Sequence, residues 1–311
     1  MPTAAMPSRD GLHNRRLSLT FLPRPPSITR RHHTGLTQEP KADMEGPSAD
    51  PNTVAPDDAE SFPTRMLRVL YGSVVWSVFI AVAISTLLLL LILPGMDRRR
   101  HVTGVAARLI MRLCGIPLTV TGADRLPAGQ CMVVANHASY IDAIVVKAVL
   151  PERFAYVVKR EMADVPLAGL LLERIGTHFV ERFNRHKGGL DARRVLRSAS
   201  NGQPLLFFPE GTFVSEPGLL KFHLGAFSSA VAARCPVVPC VIRGTRHILP
   251  SPRFFPRPGP VEFEILAPIQ IDPDLPPERA AAALRDAARA AILSKLDEPD
   301  ALARSVHHAS N

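Results

Sequence analysis

Residues 131–142 read Cys131-Met132-Val133-Val134-Ala135-Asn136-His137-Ala138-Ser139-Tyr140-Ile141-Asp142, and the stretch changes character midway. Its first five residues form a short apolar run of the kind that makes a buried strand. From Ile141 to Leu150 the chain is mostly apolar with no Gly or Pro, which predicts a helix. A histidine therefore stands at a strand-to-helix turn. Doubly wound α/β proteins place their chemistry there.

The spacing from His137 to Asp142 carries a geometric constraint. At about 100° per residue, two helical residues five apart point roughly 140° away from one another and do not meet. With His137 outside the helix near its cap and Asp142 in the first turn, the imidazole can fold back onto the carboxylate. Asp142 then fixes the tautomer and stabilises the charged ring, which leaves the other ring nitrogen as a general base. On these residues alone the pair reads equally well as a solvated cap, so other parts of the chain have to decide.

The 311 residues suffice for one large domain or two small ones. Apolar residues make up 46% of a chain with 30 prolines, which points to one unusually apolar segment. Cys114, Cys131, Cys235 and Cys240 show no CxxC spacing and sit in apolar surroundings. They read as reduced core residues, not as disulfides or metal ligands, and favour a reducing compartment. Net charge is +9, and residues 1–60 do not supply it: they hold 7 basic and 8 acidic residues. The basic excess thus lies in the part that folds, matching an anionic membrane face or a phosphate-bearing substrate. No aromatic-interleaved basic motif supports nucleic acid.

Residues 1–60 are rich in Pro, Ser, Thr, Arg and His without apolar periodicity, which predicts a disordered extension. An Arg-rich targeting peptide is the other reading, and Met44 or Met66 are alternative starts. From Val69 to Leu93 there are 25 uncharged residues, longer than the roughly 30 Å of bilayer hydrocarbon requires. Segment 61–97 is expected to be a membrane helix, straight or kinked. Arg98-Arg99-Arg100 on its far side places the following domain on the cytoplasmic face. Residues 98–114 predict a basic amphipathic helix with Val102, Val105, Leu109, Ile110 and Leu113 on its apolar face. It either lies along the lipid surface or packs as the first helix of the domain.

Beyond it, strands near 118–121, 131–135, 154–158, 176–180, 204–208, 237–242 and 261–266 alternate with helices near 141–150, 166–174, 190–200, 225–234 and 276–295. This is an α/β domain with a mainly parallel sheet flanked by helices, spanning 98–300. Residues 301–311 are expected to be a flexible tail.

Several chemistries lack their signatures. There is no Gly-x-Ser-x-Gly elbow, no GxGxxG or P-loop, no HExxH and no paired Cys/His spacing. What remains is the His-Asp pair, the acidic strand-end turn Phe208-Pro209-Glu210-Gly211-Thr212, and Arg182 at another strand end. A His-Asp pair without a protein nucleophile suits deprotonation of a substrate hydroxyl that attacks an acyl carbon directly. Glu210 can accept hydrogen bonds from hydroxyls, Gly211 allows close backbone approach, and Arg182 offers a fork for phosphate.

Asn136-His137-(x)4-Asp142 followed by Phe208-Pro209-Glu210-Gly211-Thr212 resembles the glycerolipid acyltransferase family typified by 1-acyl-sn-glycerol-3-phosphate acyltransferases. Gly176-Thr177-His178-Phe179-Val180-Glu181-Arg182 and Cys235-Pro236-Val237-Val238-Pro239-Cys240 look like two further blocks of that family, in the right order. The resemblance implies an acyl-CoA or acyl-carrier-protein donor as co-substrate with no further cofactor or metal. It also implies a lyso-glycerolipid acceptor, most simply 1-acyl-sn-glycerol-3-phosphate giving phosphatidate, and a membrane location. His137 and Asp142 would be the catalytic dyad. Arg182 and the Glu210-Gly211-Thr212 turn would bind the acceptor, with Lys159 and Lys221 as further basic contacts.

Two departures stand out. Phe213 follows Gly211-Thr212 where lysophosphatidate-using members commonly carry Arg, which removes one charge-assisted contact of about 1.5–3 kcal/mol. The later Phe-Lys-x-Gly-Ala pattern appears as Phe222-His223-Leu224-Gly225-Ala226, with Lys221 displaced. Another lyso-lipid acceptor, a lysophospholipid or an aminolipid, is therefore the alternative. A catalytically silent lipid-binding membrane protein is the third reading.

Overall fold

The computed structural model describes residues 62–181 and 185–303. The chain runs α1 (Phe62–Ile92), α2 (Met96–Leu113), β1 (Leu118–Thr121), β2 (Met132–Ala135), α3 (Asp142–Val149), β3 (Ala155–Lys159), α4 (Ala168–Arg174) and β4 (His178–Val180). It continues through α5 (Arg185–Ser200), β5 (Leu205–Phe207), α6 (Gly225–Ala233), β6 (Val237–Arg243), α7 (Thr245–Ile248), β7 (Val261–Ile265) and α8 (Pro277–Leu293). The seven strands form one sheet in the order β1-β7-β6-β2-β5-β3-β4. Every pairing is parallel except β6 with β7. The sheet is mixed and mostly parallel, in line with the reading from sequence.

The apolar run before His137 is explained by its place. β2 is central, between β6 and β5, and is buried on both faces. Cys131, Val133 and Ala135 point into the core shared with α2 and α3, while Met132 and Val134 point into the core beneath α6 and α8. A strand covered on both sides needs apolar side chains at odd and even positions alike, so it shows no alternation. All four cysteines are free and buried.

The α1 helix is the unusually apolar segment, about 46 Å long at 1.5 Å per residue and long and apolar enough to cross a membrane. It is also tied to the domain. Gly72, Val75, Phe79, Val82, Thr86 and Leu90 recur every three or four residues along the side that packs inward. The Tyr71 hydroxyl donates to the Cys114 carbonyl at 2.9 Å, and Trp76 Nε1 donates to the Phe254 carbonyl at 2.9 Å. Expected as a separate anchor over 61–97, α1 instead shares one stripe with the domain and exposes Leu70, Val74, Ile84, Leu88 and Leu91 on the other.

The inward face of α2 differs from the one its apolar pattern suggests. Val105, Leu109 and Leu113 are exposed, and the buried stripe is Arg100, Thr103, Gly104, Ala107, Ile110 and Met111. Gly104 lies against α3, where a Cβ would stand in ordinary contact 3.5 Å from the Lys147 carbonyl. Val102, Val105 and Leu109 line an outward groove of about 430 Å³ with Val82 and Leu89 of α1. Two of the three arginines after α1 serve the fold. Arg99 Nε donates to the Leu93 carbonyl and Arg100 Nε to the Ile175 carbonyl, both at 2.8 Å.

The expected tail boundary falls inside an ordered contact. Arg289 pairs with Asp300 at 2.5 Å, and the Ala301 N–H donates to the Leu219 carbonyl at 3.3 Å. The extension 1–60 and residues 304–311 lie outside the described residues.

Candidate active site

The site stands where neighbouring parallel strands end together. Val134 of β2 and Val157 of β3 both pair with Phe207 of β5. The segments leaving these three strands at their C-terminal ends therefore emerge side by side: His137 after β2, the Phe208–Thr212 turn after β5, and Lys159 at the end of β3. Arg182, after β4, lies outside the described residues.

The β2 ladder does not stop at its last backbone pair, Ala135 with Cys240. The Asn136 side chain replaces the next peptide group: its Oδ1 accepts the Ile242 N–H at 2.7 Å and its Nδ2 donates to the Ile242 carbonyl at 2.9 Å. An amide has the donor and acceptor that a peptide has, so the side chain bolts the loop to β6 while the main chain turns away. Ser139 Oγ makes a second anchor, donating to the Leu249 carbonyl at 2.7 Å.

Between these anchors sits the dyad. His137 Nδ1 lies 2.8 Å from Asp142 Oδ2. That same oxygen accepts the backbone N–H groups of Ala138 at 2.7 Å and Ser139 at 2.8 Å. An oxygen that only accepts assigns the hydrogen to Nδ1, which leaves the lone pair of Nε2 available. Asp142 is the first residue of α3, where the helix N-terminus favours negative charge. The carboxylate is fully buried, whereas the imidazole keeps 18% of its side chain exposed. Asp142 is thus a fixed orienter, and His137 presents the working face.

Aromatic rings enclose that imidazole. Phe208 stacks on it with centroids 4.2 Å apart and planes at 19°, and Phe213 meets it edge-on at 4.5 Å and 62°. Tyr140 in turn stands edge-on to Phe213 at 4.7 Å.

Glu210 joins the two halves of the site. Its Oε1 accepts the His137 backbone N–H at 2.6 Å, and its Oε2 accepts the Leu220 N–H at 2.8 Å. Expected to face substrate hydroxyls, the side chain turns inward and is only 4% exposed. Its contact is with the protein's own backbone, so its evident work is to hold the histidine loop on the turn. Gly211, at φ +73°, bends the chain back with its N–H on the Phe208 carbonyl at 3.0 Å. Thr212 is exposed beside it. Lys159 and Lys221 are exposed as well. The structure thus brings His137, Asp142 and Glu210 into one hydrogen-bonded set and leaves Thr212, Lys159 and Lys221 at the surface around it.

Burial raises the Glu210 carboxyl to about 7, opposed by its two backbone N–H donors and reinforced by the nearby charge of Asp142. A carboxyl held above its unfolded value binds more protons when folded. Its contribution to stability is therefore complete below about pH 4.5 and is lost as pH rises through about 7. Across that window the wild-type unfolding free energy should fall relative to that of Glu210→Gln by about 3 kcal/mol. Urea melts of both proteins between pH 4.5 and 7.5 test this, and parallel slopes would refute it.

Asn136, Phe208 and Tyr140 received no role of their own from sequence, and Phe213 reads there only as a missing phosphate contact. The available signal was position: each lies within three residues of the dyad or of the acidic turn. Among the described residues no group of three His, Cys, Asp or Glu side chains converges as for a metal ion.

Residues 117–243 match the family described as Acyltransferase. The 1-acyl-sn-glycerol-3-phosphate acyltransferase of Cocos nucifera is 27% identical over 232 residues, covering 70% of this chain and 74% of that protein. The lyso-ornithine lipid O-acyltransferase of Pseudomonas aeruginosa is 34% identical over 168 residues, covering 51% of this chain and 61% of that protein. The crystal structure of the 1-acyl-sn-glycerophosphate (LPA) acyltransferase PlsC from Thermotoga maritima superposes with a TM-score of 0.60 at 21% identity. That superposition covers 75% of this chain and 96% of that one, and it establishes a shared fold.

Proposed function

We propose that this chain, whose residues 117–243 match the Acyltransferase family, moves a fatty acyl chain from a thioester to the hydroxyl of a lyso-glycerolipid at a membrane. The observation that carries this reading is the His137–Asp142 contact, with Nδ1 held at 2.8 Å and Nε2 left free. No serine hydroxyl or cysteine thiol among the described residues is hydrogen-bonded to that ring, so the base acts on a substrate and not on a protein nucleophile.

The reaction is then direct. The acceptor oxygen forms a bond to the thioester carbonyl carbon as its proton passes to Nε2. Asp142 stabilises the imidazolium that results. When the tetrahedral intermediate collapses the C–S bond breaks, and the proton leaves Nε2 for the thiolate. Products are an ester and a free thiol, with His137 restored. A thiolate leaves readily, so positioning and charge stabilisation carry most of the catalysis. The thioester is acyl-CoA or acyl carrier protein, and no cofactor or metal enters.

Lysophosphatidate is the proposed acceptor, with Arg182, Lys159 and Lys221 as the candidate phosphate contacts and Thr212 at the rim. A second reading, an acceptor whose head group is not a phosphate monoester, is favoured by one observation: Phe213 brings an apolar ring against His137. The outward apolar stripes of α1 and α2 support membrane association, and Arg98, exposed after α1, supports a cytoplasmic domain. The test is acyl transfer by purified membranes from labelled acyl-CoA, then acyl carrier protein, to a panel of lyso-lipids. Labelled phosphatidate is the expected product. Product from an aminolipid alone would establish the second reading, and no product from any acceptor with either donor would overturn both.

A further inference from the structure

We propose that Phe213 roofs the base and keeps water off Nε2 of His137, so that the protein transfers acyl chains in preference to hydrolysing its donor. The inference rests on the transfer reaction proposed above.

It starts from a hazard built into direct transfer. With no acyl-enzyme to commit the chain, any hydroxyl that reaches the base can attack the thioester. If that hydroxyl belongs to water, one proton passes to Nε2, an O–C bond forms, and the C–S bond breaks. The proton then moves to the thiolate, giving a free fatty acid and a thiol. Geometry at the base, not the chemistry of the base, has to discriminate between water and lipid.

The aromatic enclosure supplies such geometry. Phe208 covers one face of the imidazole at 4.2 Å, and Phe213 approaches from another side with its plane at 62° to the ring. Phe208 directly follows β5, next to the buried Pro209 and Glu210, and packs half-buried against the core. Phe213 lies beyond the Gly211 turn, is only half-buried, and is braced by Tyr140, which is 61% exposed. The enclosure therefore has a floor packed on the core and a roof held at the surface. A lyso-lipid can replace contact with a phenyl ring by contact with its own glycerol and acyl carbons. Water has no apolar part to offer, and entering the space beside the ring costs it hydrogen bonds.

The test measures two products from one labelled donor, the acylated lipid and the free fatty acid, in wild type, Phe213→Ala, Phe213→Leu and the double variant His137→Ala/Phe213→Ala. Phe213→Ala should raise the ratio of hydrolysis to transfer by about tenfold. Leucine keeps an apolar side chain there and should hold the ratio near that of wild type. Hydrolysis gained in Phe213→Ala should disappear in the double variant, since the same base drives it. A ratio unchanged in Phe213→Ala, or a gain that persists without His137, would overturn the inference while leaving the transfer reaction standing. Wild type that makes no acylated lipid from any acceptor would instead overturn the reaction, and the roof with it. Thermal melts of each variant separate a lost roof from a lost fold.

Discussion

His137→Ala should lower acyl transfer by about 10³- to 10⁴-fold, at the upper end of what a positioned general base supplies. The variant should fold. The imidazole is partly exposed, and Asp142 Oδ2 keeps two of its three donors, the N–H groups of Ala138 and Ser139. The loop keeps its other anchors too: Asn136 on Ile242, Ser139 on Leu249, and Glu210 on the His137 backbone N–H, which alanine retains. The cost is one hydrogen bond to a charged group and the stacking on Phe208, about 2 kcal/mol in all. Initial rates with the preferred acceptor, paired with a thermal melt, check both halves. A folded His137→Ala protein within tenfold of wild-type activity would remove the base from the mechanism.

How much of this arrangement was legible beforehand depends on the range of the interaction concerned. The β2 strand, the turn and α3 follow from apolar runs and their interruption, because burial on two faces leaves a local imprint. The dyad was half legible: its spacing excludes a common helix but fits a solvated cap as well, and the resemblance chose between the two. Glu210 is different. Its partners are the N–H groups of His137 and Leu220, and only the β2–β5 register brings His137, 73 positions away in the chain, alongside it. A turn glutamate looks the same from sequence whether it faces substrate or backbone. Asn136 is similar: a polar residue after a strand reads as a loop until β6 is known to lie beside it.

The α2 helix marks a second limit. Periodicity separates apolar from polar positions, but it does not say whether an apolar stripe meets protein or lipid. Val105, Leu109 and Leu113 look like core and are exposed, while Gly104 lies against α3 and Ala107 is buried. Phe213 marks a third. From sequence it is a missing phosphate ligand; in the fold it is a ring against the base.

Asp142→Asn should slow transfer by about 10²- to 10⁴-fold, and its interaction with His137 should be strongly non-additive. The backbone dictates how asparagine sits. Ala138 and Ser139 both point N–H groups at the Oδ2 position, so the amide oxygen must occupy it and the amide nitrogen must take the place of Oδ1. In the native protein Oδ1 is buried without a hydrogen-bond partner. The new NH₂ group thus meets no acceptor there, at a cost of about 1–3 kcal/mol. The imidazole keeps its donor contact to a neutral oxygen, so its tautomer and place survive. What disappears is the negative charge that stabilises the ring once it has taken the acceptor's proton. Transfer should therefore fall far more than stability does. Because Asp142 acts only through His137, the double variant His137→Ala/Asp142→Asn should be no slower than His137→Ala alone. A double variant slower by the product of the two single effects would give Asp142 a role of its own, separate from the base.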